Sequence, residues 1–141
     1  MTVLDTNVLW EILKPSPSPV VFRWLASLSV DNVFTTAITQ AEMLRGLELL
    51  PSGRRRTMLT VAVENIFQEE FRNRILPFDD EAAPAYAAIT TRRARDGRPI
   101  SQSDAMIAAI CKSREATIAT RNGSDFELCG LKILDPWLQE K

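Results

Sequence analysis

Apolar and polar positions change rhythm within the first ten residues. Val3 and Leu4 run into Asp5, and Val8, Leu9, Ile12 and Leu13 then follow the i, i+3, i+4 spacing of an amphipathic helix. This predicts a buried strand that hands over directly to a helix, which Lys14-Pro15-Ser16-Pro17-Ser18-Pro19 stops as a loop. Helical spacing resumes from Val20 to Leu28, and Asp31-Asn32 turns the chain into Val33-Phe34-Thr35-Thr36, a β-branched second strand. A helix opening around Ile38-Thr39 and running to Leu50 is expected next, with Glu42 in its first turn and Pro51-Ser52-Gly53 as its stop. A further helix covers Arg54 to about Phe71, packed on one side through Leu59, Val63, Ile66 and Phe67.

Arg74-Ile75-Leu76-Pro77-Phe78 reads as a third strand, near a strand end or a sheet edge because of its proline. Asp79-Asp80 can cap the helix that passes Tyr86 and Ile89 and ends at Asp96-Gly97. After the break at Gly97-Arg98-Pro99, Ser101-Gln102-Ser103-Asp104 introduces an alanine-rich helix through Cys111, suited to close packing on a sheet. Thr117 to Thr120 is a fourth strand, Asn122 to Phe126 a turn with a short helical piece, and Leu131 to Leu134 a fifth strand. Strands separated by helical connectors imply right-handed crossovers and a parallel sheet covered on both faces. No repeat or linker divides the chain, so residues 1–141 read as one α/β domain.

Composition narrows the chemistry. With 17 Lys and Arg against 18 Asp and Glu, the net charge of -1 provides no overall attraction to nucleic acid or membrane, so such a partner must be recognised locally. The chain has no histidine, which removes Ser-His and Cys-His nucleophile pairs, histidine bases and imidazole zinc sites. Cys111 and Cys129 fit no zinc spacing and read as buried thiols. The absence of a secretory signal and of a long apolar run places the protein in a reducing, cytoplasmic setting with no membrane span. Any catalysis must therefore rest on carboxylates or a metal.

Four acidic residues occupy equivalent places. Asp5, Glu42, Asp104 and Asp125 each fall at a strand-to-helix junction or a helix opening, and in a doubly wound sheet those openings gather along one edge. Three of them also have a simpler reading. Asp5 suits a helix cap, and Thr39-x-x-Glu42 and Ser101-x-x-Asp104 match the capping-box pattern. If the four converge, they repel unless a cation lies between them, and such hard oxygen ligands suit Mg2+ or Mn2+. A site of this kind serves phosphodiester hydrolysis without a separate side-chain base.

The segments Leu4-Asp5-Thr6-Asn7-Val8, Ile38-Thr39-x-Ala41-Glu42-x-x-x-Gly46, Asp104-Ala105-x-Ile107-Ala108-Ala109 and Ala119-Thr120-Arg121-Asn122-x-x-Asp125-Phe126 carry a resemblance across nearly the whole chain. In that order they resemble the motifs of the PIN-domain family, in particular the VapC-type (FitB-like) ribonuclease toxins of bacterial toxin-antitoxin pairs. The resemblance implies a three-layer α/β/α sandwich around a parallel, roughly five-stranded sheet. It further implies a metal-dependent endoribonuclease in which Asp5, Glu42 and Asp104 hold Mg2+ or Mn2+, supported by Thr6 and Asn7. At the fourth position many relatives place an acid where this chain has Asn122, so Asp125 is expected to supplement the site and Asn122 to offer a neutral oxygen or a hydrogen bond. Implied partners are an RNA substrate, a cognate antitoxin that can send an arginine into the acidic site, and a second copy of the chain in a homodimer. DNA would be met only through the antitoxin.

Other readings share parts of this pattern. A haloacid-dehalogenase-like phosphatase also begins with a strand ending in Asp, but wants a second Asp where Asn7 stands. A receiver-like signalling domain would use a phospho-accepting Asp in an acidic Mg2+ pocket, with paired acids after the first strand and a lysine just after the last. Here Asp5 is single and Lys132 precedes Ile133-Leu134. A binding module that keeps the fold without its chemistry is the third alternative. Arg54-Arg55-Arg56 and the group Arg92, Arg93, Arg95 and Arg98 are either phosphate contacts or solvated helix faces, and Arg45 is placed to orient Glu42. Phe22, Trp24 and Leu25, with Leu44, Leu47, Leu49 and Leu50, supply more apolar surface than one core-facing stripe needs, which suits either the core or another chain.

Overall fold

The computed structural model describes residues 1–139. Its middle layer has five strands, β1 (Thr2–Leu4), β2 (Val33–Thr36), β3 (Ile75–Leu76), β4 (Thr117–Ala119) and β5 (Lys132–Leu134). They lie in the order β3-β2-β1-β4-β5, every pair parallel. The register sets Thr2 beside both Val33 and Thr117, and Leu4 beside Ala119. The Asp5 amide extends the ladder by donating to the Ala119 carbonyl at 3.0 Å.

Because successive side chains of a strand point to opposite faces, each of β1, β2, β3 and β4 feeds two cores. Val3, Ile118 and Leu76 pack into one core with α5 (Ala82–Arg95) and α6 (Gln102–Ser113). Leu4, Ala119 and Val33 enter the other with α1 (Thr6–Ile12), α2 (Pro19–Ala26), α3 (Ala37–Glu48) and α4 (Arg54–Asn65). The expected three-layer α/β/α arrangement is thus a direct outcome of strands that are apolar on both sides. The chain builds β1, β2 and β3 outward in one direction, then crosses to β4 and β5 on the other side of β1. That reversal makes the carboxyl end between β1 and β4 the switch point where a crevice forms. It also overturns the receiver-like alternative, whose sheet would set β1 next to β3.

Local chemistry shifts several boundaries. The Thr36 hydroxyl accepts the Thr39 amide at 3.0 Å and caps α3, which therefore starts at Ala37. The proposed Thr39-x-x-Glu42 capping box does not form, and Glu42 lies in the second turn rather than the first. Helix α4 continues into a π-type turn over Ile66–Glu70, so the helix expected to reach Phe71 ends with the Phe71 amide bonded to the Ile66 carbonyl at 2.8 Å. Asp79, not Asp80, supplies the cap before α5, accepting the Ala82 amide at 3.1 Å. The proline loop is held by Glu11, a buried carboxylate that accepts from the Lys14 ammonium and the Ser18 amide, each at 2.9 Å.

The two cores set the stability expected of the sheet. Ile118→Ala, fully buried beside β1, should lower the unfolding free energy in urea by about 3 kcal/mol. Val61→Ala, 63% exposed on α4, should change it by less than about 0.5 kcal/mol. Equal losses would mean that the sheet is not the stabilising layer.

Candidate active site

The site starts where β1 ends. Asp5 is buried as the N-cap of α1, its Oδ1 accepting the Thr6 amide at 2.8 Å. The capping role anticipated for it is therefore real, but it occupies only one carboxylate oxygen. Oδ2 accepts the Thr120 hydroxyl at 2.8 Å and the Asn7 side-chain amide at 3.3 Å. Asn7 reaches further across the switch point, donating to Thr120 Oγ1 at 3.2 Å and accepting the Arg121 amide at 3.1 Å. Thr120 Oγ1 also accepts the Asn122 amide at 3.1 Å. These bonds tie the segment after β1 to the segment after β4 and set the orientation of Asp5.

Glu42 comes to the same edge from α3, and its Oε1 accepts the Thr6 hydroxyl at 3.0 Å. Asp104 sits in the first turn of α6, where the Ser101 hydroxyl caps the helix by accepting the Asp104 amide at 3.2 Å. Half of the expected capping box thus forms, through the backbone of Asp104, and its carboxylate remains half-buried. Asp125 lies on a 3₁₀ turn, Gly123–Phe126, with its side chain exposed and Phe126 buried beneath.

The carboxylates act on one another. Burial raises the Asp5 carboxyl above its ordinary value, against the bonds from Thr120, Thr6 and Asn7, and the charge of Asp125 raises it further. Glu42 is raised by partial burial and then by Asp5 and Asp104, with the Thr6 hydroxyl opposing. Asp104 is raised by partial burial, then by Asp5 and Asp125, while Ser101 and the Arg93 guanidinium pull it back. All four acids singled out in the sequence therefore lie within one electrostatic neighbourhood. At an effective dielectric near 20, two like charges even ~8 Å apart repel by about 2 kcal/mol, more than the ~1 kcal/mol a helix cap contributes. Capping alone does not account for the arrangement. Among the described residues no three acidic or thiol side chains stand close enough together to hold a metal ion as they are arranged here. The donor set is nonetheless all carboxylate oxygen, the chemistry that suits a hard cation keeping part of its own water.

Thr120 is the participant that the sequence reading passed over, naming it only as the end of a strand and as part of a motif. A hydroxyl at the carboxyl end of β4, directly beside the end of β1, was the available signal. The arginines divide differently from expectation. Arg93 is 5% exposed and bonded to backbone carbonyls, so it is not a phosphate contact. Arg56, Arg92 and Arg98 pair with Glu48, Asp96 and Glu127. Arg45 is exposed and forms no ion pair with Glu42 among the described residues, so the orienting partner is Thr6 instead.

The chain resembles known proteins over nearly its full length. The family model described as PIN domain matches residues 2–129. Toxin FitB of Neisseria gonorrhoeae is 38% identical over 97% of this chain and 99% of its own. VapC ribonuclease Y4jK of Sinorhizobium fredii is 36% identical over 97% and 98%. The solved structure of FitAB bound to an IR36 DNA fragment superposes with a TM-score of 0.91 at 38% identity, covering 100% of this chain and 99% of that one.

The raised carboxyls carry a sign. An acid whose folded pKa is raised stabilises the fold when protonated, and that contribution is lost as the pH rises through its folded value. In metal-free protein Glu42→Gln, which keeps an oxygen for the Thr6 hydroxyl, should raise the melting temperature at pH 7 by about 1–3 °C. The gain should vanish as the pH falls toward 4.5, the ordinary value for Glu, where the native side chain is itself protonated. Thermal melts across pH 4–8 would show this, and a variant less stable than the native protein at every pH would contradict it.

Proposed function

The chain belongs to the PIN-domain family, and we propose that it is a metal-dependent endoribonuclease that serves as the toxin of a bacterial toxin-antitoxin pair. The observation that carries this reading is the group of raised carboxylates at the switch point, Asp5, Glu42 and Asp104, with the charge of Asp125 acting on Asp5 and Asp104 and no histidine or thiolate among them. Hydrolysis of an RNA phosphodiester needs an activated water and a counter-charge for the phosphoryl oxygens, and this donor set suits a cation that brings both.

Asp5, Glu42 and Asp104 would hold Mg2+ or Mn2+, with Asp125 supplementing them. The bound ion supplies a water of lowered pKa and charge neutralisation. The protein's own part is preorganisation. Thr120, Thr6 and Asn7 direct both oxygens of Asp5, and the Thr6 hydroxyl directs Glu42, so that the carboxylates meet a cation without first reorganising. Asn7 stands where a phosphatase of the haloacid-dehalogenase type needs a second acid, and its amide is spent on Asp5 and Thr120. It has no proton to give a leaving group. RNA would enter past Arg95 and the other exposed arginines at the α5–α6 corner.

For the antitoxin we propose an apolar groove of about 900 Å³ between the ends of α1 and α3 and the first half of α4. Trp10, Leu13, Leu50, Met58 and Leu59 line it, with Lys14, Arg54 and Arg55 at its rim. Gly46, also in its lining, follows Glu42 by one helical turn on the same face of α3, roughly 6 Å along the axis. A peptide lying in the groove can therefore extend a cationic side chain into the acidic ring, where a guanidinium takes the place of the metal. Phe22, Leu49 and Val61 remain exposed, at 58, 67 and 63%, as apolar surface suited to a homodimer. No described helix is long and apolar enough to cross a membrane, and a cytoplasmic location beside its RNA substrate completes the proposal.

Asp5→Asn keeps an equally good helix cap and should leave the fold intact, yet lower Mg2+- or Mn2+-dependent RNA cleavage by more than about a hundredfold. EDTA should do the same to the native protein. Full cleavage by the variant, or in EDTA, would refute the metal-site reading. Met58→Asp, in the groove, should weaken binding of the antitoxin's C-terminal peptide by about thirtyfold or more while RNA cleavage persists. Unchanged peptide affinity would move the antitoxin to another surface.

A further inference from the structure

Arg93 is a cation almost wholly withdrawn from water, and among the described residues no carboxylate lies within ion-pairing distance of it. A buried guanidinium is costly unless its donors are satisfied, and here they are satisfied by backbone. Nε donates to the Arg98 carbonyl at 2.6 Å, and Nη1 donates to the carbonyls of Asp125 and Glu127, both at 2.9 Å. The Arg98 amide returns a bond to the Arg93 carbonyl at 2.8 Å, and the Arg98 guanidinium pairs with Glu127 at 3.0 Å. One side chain thus joins the end of α5, the corner leading into α6, and the 3₁₀ turn that carries Asp125. Asp125 makes no side-chain hydrogen bond of its own among the described residues, so its place over the pocket depends on how its backbone is held.

We propose that Arg93 is a positioning residue for the acidic site: its fork of donors, which also reaches the Cys129 thiol at 3.8 Å, fixes the Asp125–Glu127 backbone to the α5–α6 corner and so holds the Asp125 carboxylate beside Asp5 and Asp104. Only arginine has donors in a planar fork that can reach carbonyls on two segments at once, and lysine offers the charge without that geometry. Support behind the ligands is where carboxylate sites are commonly tuned. The proposal rests on the metal-site reading given above.

The test is a double-mutant cycle read on Mn2+ affinity by calorimetry, with hydrogen exchange of residues 122–127 as a second readout. Arg93→Lys should weaken Mn2+ binding about tenfold when Asp125 is present and less than about twofold in the Asp125→Asn background, and should speed exchange in the turn. The same loss in both backgrounds, or an Asp125→Asn protein that binds Mn2+ like the native one, overturns the proposal. Should Arg93→Lys not fold, Arg93→Gln decides, since it keeps a side-chain amide donor but removes the fork that spans the two segments. It should weaken Mn2+ binding by a similar factor, again only while Asp125 is present, and no change there overturns the proposal. Native protein that binds no Mn2+ defeats the metal-site reading itself, whereas Mn2+ binding indifferent to Arg93 defeats only the positioning role.

Discussion

Repulsion among carboxylates at the end of β1 is the constraint that the rest of the structure answers to. Asp5, Glu42, Asp104 and Asp125 arrive from four separate segments, and each raises the pKa of at least one neighbour or is raised by one. A fold that spends stability on such a gathering must hold each member from behind. It does so with hydroxyls and amides rather than with cations at the ring itself. Thr120, Thr6 and Asn7 hold Asp5, and Thr6 reaches on to Glu42. Replacing the supports with lysines or arginines would fill the cation's place permanently.

The sheet explains why the gathering happens there. β1 is central and its Val3 and Leu4 are fully buried, so the first polar side chain after it, Asp5, is where the strand can carry chemistry. Crossing from β3 to β4 on the far side of β1 puts the switch point at the carboxyl ends of β1 and β4, which the Asn7–Thr120 bond ties together. Helix α3 leads away from that point, with Glu42 at the ring and Gly46 in the apolar groove one turn on. Glu42 and the groove-lining Gly46 thus lie on one helix with no residue common to the acidic group and the groove.

Much of this was legible in the chain because the strands are short and apolar and their ends are marked by polar residues. Asp5 after Val3-Leu4 and Thr120 after Ile118-Ala119 read from the same rule, yet only the acid was followed. The hydroxyl does its work through a bond 115 residues away in sequence, which no local pattern reveals. α3 starts one residue before the expected Ile38 because Thr36 and Thr39 are both plausible caps, and only the Thr36 hydroxyl, buried and accepting the Thr39 amide, decides between them. Arg93 was grouped with its neighbours as a surface charge. Its place four residues after buried Ile89 on α5 hinted at an inward face, but a charge on an apolar stripe is normally assigned to solvent. The π-type turn after α4 and the clamp of Glu11 on the proline loop have no comparable sequence signal, since both depend on tertiary contacts.

The central claim is that the acidic ring is a cation site located by Asp5 and completed from three other segments. Crystals grown with Mn2+ and measured for anomalous scattering test it most directly. The account predicts a manganese peak among the carboxylates of Asp5, Glu42 and Asp104, within reach of Asp125, that disappears in Asp5→Asn crystals. Well-diffracting native crystals with no peak in the ring, or with manganese bound only elsewhere on the surface, would contradict it.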